Sequence, residues 1–153
     1  MPRAEARIIA APAPRITMTT NNNPKFWLEP LYRIASLEYA LIEACHSEAP
    51  SASDDEQARF AARAGTAQVH LFDLGTALRD LGEDSISYAR CMRSALMFQG
   101  THADLLERLE REYMRLLAKP ELPCQLHDLL RSNLSSHRGF DVPSIRRDFS
   151  VAA

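Results

Sequence analysis

An all-α fold, an antiparallel bundle of four to five amphipathic helices in up-and-down topology, follows from three features of the sequence. Between residues 26 and 139 Leu and Ala dominate, while Val and Ile occur only at Ile34, Ile42, Val69 and Ile86. Strands favour β-branched side chains, whereas helices favour Leu, Ala, Glu and Arg. Apolar residues recur at intervals of three and four, and no stretch alternates apolar with polar over six positions. Capping residues, Gly and Pro stand at the ends of the periodic stretches, where helices start and stop.

The elements follow in order. Residues 1–23 are rich in Ala, Pro and Arg and then in Thr and Asn, with no repeating apolar face. Such a segment buries too little apolar area to offset its ordering entropy, so a disordered extension is expected. The bundle domain spans residues 24–139. A first helix is expected over 26–47, with Pro30 tolerated in its opening turn. Ser53, followed three residues later by Glu56, predicts a capping box for a second helix that ends near Leu81, stopped by Gly82. Its seam of Phe60, Ala64, Ala67, Leu71, Leu74, Leu78 and Leu81 keeps four-then-three spacing. A third helix is expected over 85–99, stopping at Gly100. Thr101 with Asp104 repeats the cap for a helix that closes before Pro120, its outer face laced by Glu107–Arg111 and Arg108–Glu112 pairs. A last helix starts near Pro123, a favoured first-turn residue, and ends at 137 or 138. Residues 140–153 form a tail whose Phe140, Val142, Ile145 and Phe149 are apolar enough to pack on the bundle or dock a partner.

Composition narrows the function. The chain has 153 residues with 18 Lys plus Arg against 20 Asp plus Glu, a formal net charge of -2, and its helical part is the more acidic. A duplex-binding surface needs a concentrated basic face, so nucleic acid is not an expected partner. No apolar run approaches the roughly 18–20 residues of a membrane-spanning helix. Cys45, Cys91 and Cys124 form no CxxC pair and read as small buried hydrophobes in a reducing compartment, which points to the cytoplasm. Glycine-rich phosphate loops, a G-x-S-x-G elbow and H-x-x-x-H spacings are all missing, so no catalytic residue and no cofactor are assigned.

One polar residue stands out. The apolar stripe of the first helix runs Leu28, Leu31, Ala35, Ile42 and Cys45, and Glu38 projects from its middle. A carboxylate there needs a partner, because an unpaired buried charge costs several kcal/mol or takes up a proton. Arg63 and His70, beside the second helix's seam, are the candidates, and a metal ion is another. In an interaction protein without a metal, Glu38→Leu is expected to leave the fold intact or stabilise it, because a buried charge gives way to an apolar group of similar size. Five residues on, Glu43-Ala-Cys-His46 has the Glu-x-x-His spacing that places a carboxylate and an imidazole on one helix face. In this the chain resembles ferritin-like bundles, and the resemblance implies metal binding at Glu38, Glu43 and His46. Those sites use two such motifs on separate helices, whereas this chain has one. His127 and His137 read as boundary residues bonded to backbone or water.

The leading expectation is therefore a small regulatory or adaptor protein that acts through a protein partner or self-association. The contact surfaces are Leu71, Leu74, Leu78 and Leu81 on the long seam and Phe140, Ile145 and Phe149 in the tail. The alternative is the ferritin-like metal-binding bundle.

Overall fold

A computed structural model describes residues 25–83 and 88–139. The expectations for the 1–23 extension and the 140–153 tail lie outside these residues. The architecture is all-α: α1 (Leu28–Glu48), a short 3-10 turn (Ala49–Ser51), α2 (Asp54–Asp80), α3 (Tyr88–Ala95), α4 (His102–Leu117) and α5 (Cys124–Gly139).

Local chemistry explains where the helices begin and end. The Glu56 amide donates to Ser53 Oγ at 3.3 Å and the Ser53 amide donates back to the Glu56 carboxylate, forming the expected capping box of α2. Asp54, Asp55 and Glu56 place negative charge against the positive end of the helix dipole. At the other end Gly82 takes φ +83°, and the Glu83 amide bonds back to the Leu78 carbonyl at 2.9 Å. That closure requires a left-handed residue, which Gly supplies without steric cost. Thr101 and Asp104 form a second capping box at α4. Among the described residues two separate helices, α3 and α4, stand here. α3 covers only Tyr88–Ala95, because the chain turns at Leu96–Phe98 rather than continuing to Gly100.

α1 is the central helix and packs against α2, α4 and α3, while α5 packs against α2 and α4. Polar ties at the helix ends set the directions. Lys25 pairs with Glu83, joining the start of α1 to the end of α2. Glu48, at the end of α1, accepts the His102 amide at 2.6 Å and His102 Nδ1 at 2.9 Å, at the start of α4. Arg33 and Glu112 meet at 3.3 Å near the opposite ends. α1 therefore runs antiparallel to both neighbours. α3 rests on α1, with the Arg90 guanidinium 3.9 Å from the centre of the Tyr32 ring. Of the two pairs expected on α4, Glu107–Arg111 forms at 2.9 Å. Glu112 instead engages Arg33 and Arg115, and Arg108 lies over Phe98.

Leu31, Ile34, Leu41, Leu74, Leu78, Leu109, Leu126 and Leu130 form the centre of the core, each fully buried. Each such side chain contributes roughly 1.5–3 kcal/mol of burial free energy. Among the described residues five polar ones are buried with them: Ser36, Glu38, His70, Asn133 and His137. Four of the five converge on one place.

Candidate metal centre

Helical periodicity delivers the converging residues. Glu38 lies one turn from Ile34 and Ile42 on the buried face of α1, and His70 lies between Ala67 and Leu74 on that of α2. Tyr113 continues the Leu105–Leu109 stripe of α4 toward Leu116. On α5, Leu126, Leu130, Asn133 and His137 share one face at four-three-four spacing. One helix each thus supplies Glu38, His70 and Tyr113, and α5 supplies both His137 and Asn133.

The Glu38 carboxylate stands at the centre. Its Oε1 lies 2.6 Å from the Tyr113 hydroxyl, 2.9 Å from His137 Nε2 and 3.0 Å from His70 Nδ1. The two imidazole nitrogens are themselves 3.2 Å apart, and the rings meet edge to face. Asn133 Nδ2 donates to the Tyr113 oxygen at 3.3 Å. Glu38 Oε2 and His137 Nδ1 are buried with no hydrogen-bond partner among the described residues.

Burial by itself pushes the Glu38 carboxyl up. The hydrogen bonds and charges of His137 and His70 outweigh it and hold the group below the ordinary carboxylate value. Glu38 is therefore an anion inside the core. Burial also pushes the Tyr113 phenol well above its ordinary range, reinforced by the Glu38 charge and by that carboxylate accepting its proton. Tyr113 is consequently a protonated donor.

The distribution of contacts is lopsided. A carboxylate offers about four lone-pair sites over two oxygens. Here three groups crowd Oε1 and none engages Oε2. Hydrogen bonding alone favours spreading donors over both oxygens, whereas lone pairs converging on one point suit a cation. Ligand atoms about 2.1 Å from one ion, at angles near 90–110°, stand about 3.0–3.4 Å from each other. The spacings of 2.9, 3.0 and 3.2 Å fall in or beside that range. Glu38, His70 and His137 are the residues that can hold a metal, with one ligand atom each.

The residues singled out from sequence lie in several places. Glu38 and its candidate partner His70 come together. Glu43 and His46 are at the surface, on the walls of two different grooves, and neither belongs to the buried cluster. The first groove also takes in Tyr39 and Leu96, and the second Cys45 and Phe60. His137, read from sequence as a boundary residue, is instead buried, because it extends the α5 core stripe by one turn beyond Leu134. The sequence carries a signal for it, since His137 stands three residues beyond Leu134 and seven beyond Leu130 on one helical face. Leu74 and Leu78 are buried in the chain's own core, and Leu71 and Leu81 are half-buried against it. Phe140, Ile145 and Phe149 lie outside the described residues.

The fold and the site define a class, a helical bundle with a buried Glu–His–His centre. No family model, curated protein or solved structure matches the chain.

Proposed function

We propose that this protein is a metal-binding helical bundle that holds one divalent transition-metal ion through Glu38, His70 and His137. One observation carries the reading: three ligand atoms from three helices meet within 3.2 Å of one another in a fully buried place. Two imidazole nitrogens and a carboxylate oxygen are a borderline donor set, suited to zinc, iron(II) or manganese rather than to soft copper(I). The site differs from the ferritin-like expectation in drawing its histidines from α2 and α5 instead of from a Glu-x-x-His motif. The test is calorimetric titration of chelator-stripped protein with Zn2+, Co2+, Mn2+ and Fe2+. One ion should bind per chain, and Glu38→Ala and His137→Ala should each abolish the binding while circular dichroism stays helical. Failure of the wild-type protein to bind any of the four ions above the variants' background removes the reading.

Two exposed apolar pairs support action through a protein partner or self-association, of regulatory or adaptor type. Val69 and Phe72 on the outer side of α2 are 57% and 70% exposed, and Leu96 and Met97 beyond α3 are 78% and 82% exposed. Adjacent large apolar groups left to solvent favour protein contact. Light scattering over a dilution series tests this: Phe72→Glu should shift any oligomer to monomer. A wild-type protein that is monomeric throughout and captures no partner rejects it. The free thiols Cys45 and Cys124 support a reducing, cytoplasmic setting.

A further inference from the structure

Resting on the reading that Glu38, His70 and His137 bind an ion, we infer that the centre keeps one coordination position open for a water-derived ligand or a small monoanion, and that Tyr113 holds it open. The three residues bring one ligand atom each: Glu38 Oε1, His70 Nδ1 and His137 Nε2. A zinc-class ion takes at least four donors, and where the protein supplies three the fourth is water or substrate.

Charge and hydrogen bonding define what fits there. A metal-bound imidazole is neutral, so a divalent ion with one carboxylate carries a net charge of about +1. Tyr113 and Asn133 complete the polar part of the centre and add no charge. Around them stand aliphatic residues, with Ile34 and Ile42 one turn from Glu38, Leu74 one turn from His70, and Leu134 one turn from His137. Glu38 is 0% exposed and His137 1%. A charge in such surroundings is costly without a counter-charge, which favours a monoanion of few atoms.

Glu38 Oε2 adds the second requirement. It is buried and accepts no hydrogen bond among the described residues, while Oε1 takes the Tyr113 proton and faces both imidazole nitrogens. Neighbouring ligands on one ion stand about 3.0–3.4 Å apart, so a protonated ligand next to Oε1 is placed to donate to Oε2. Hydroxide meets both requirements, water provides the proton alone, and an ion such as azide provides the charge alone.

Tyr113 is a positioning residue. Its hydroxyl donates to Oε1 at 2.6 Å and is itself held by Asn133 Nδ2 at 3.3 Å. Those bonds fix the carboxylate with Oε1 toward the imidazoles and Oε2 aside. Without them the carboxylate is free to swing Oε2 onto the ion and fill the fourth position itself.

Cobalt(II) provides the test, because its visible spectrum reports coordination. Full-length protein stripped of metal is loaded with one equivalent of Co2+ and titrated separately with azide and with benzoate. Azide should shift the bands along a saturable curve, one azide per Co2+, and benzoate should leave them unchanged. Tyr113→Phe should raise the azide concentration needed for half the shift about tenfold or more. A wild-type spectrum unmoved by excess azide overturns the open position and leaves the metal-binding reading standing. An equal response to benzoate overturns the restriction to small ligands, and a Tyr113→Phe response matching the wild type overturns the positioning role. Failure to take up Co2+, Zn2+, Mn2+ or Fe2+ overturns both this inference and the metal-binding reading.

Discussion

Replacing Glu38 by Leu tests the buried network directly. The carboxylate is fully buried and accepts from Tyr113 at 2.6 Å, His137 at 2.9 Å and His70 at 3.0 Å. In the variant these donors lose their acceptor together. His70 Nδ1 and His137 Nε2, at 3.2 Å, can still bond to each other once one ring changes tautomer. The Tyr113 hydroxyl proton and one further imidazole N–H are left buried and unmade, each costing about 1–3 kcal/mol. Relief of the carboxylate's desolvation and the apolar contacts of Leu offset part of this, leaving a net loss of about 2–4 kcal/mol, in line with broken buried pairs elsewhere. For a folded unit of this size that is a fall in Tm of roughly 8–15 °C. Urea and thermal unfolding followed by circular dichroism, in chelator so that no ion contributes, measure it. Replacing the whole network, with Glu38→Leu, His70→Leu, His137→Leu and Tyr113→Phe together, should recover much of the loss because no polar group is then orphaned. A single Glu38→Leu variant as stable as the parent would refute the reasoning. The sign is opposite to the sequence expectation that Glu38→Leu leaves the fold intact or stabilises it, because the carboxylate has three partners.

Other outcomes follow from the same structure. Saturating the site with Zn2+ at a free concentration 100 times Kd should stabilise the fold by about 2.7 kcal/mol, reversed by chelator and missing in His137→Ala. Ser53→Ala removes the capping box of α2 and should cost about 1 kcal/mol in urea denaturation, since Ser53 caps by its own side chain. Leu78→Ala, at a fully buried position of α2, should cost about 2–5 kcal/mol. Alkylation mapped by mass spectrometry at pH 8 should modify exposed Cys124 readily and spare Cys45, which is buried and whose thiol burial pushes up to about 11.

Much of this molecule is legible along the chain because helix ends and faces are local properties. Ser53 with Glu56, Thr101 with Asp104, and Gly82 at the end of α2 act within a few residues and stand where the sequence places them. The polar interruption of the α1 stripe by Glu38 was readable for the same reason, as was its need for a partner. Choosing among partners was not. Arg108 and Glu112 have the spacing of an ion pair, yet Glu112 bonds to Arg33, 79 positions away in the chain. Glu43 and His46 satisfy a motif on paper, but their helix turns them to the surface.

The centre itself is assembled from contacts that span 32, 75 and 99 positions, between Glu38 and His70, Tyr113 and His137 respectively. Periodicity determines which residues of one helix share a face, and so by itself the sequence determines a bundle of four to five helices and their apolar stripes. The angle at which each stripe meets the others depends on how all the side chains fill the common core at once. Only the tertiary structure therefore decided that the polar interruptions of four stripes lie at one level, and that two histidines and a carboxylate meet there.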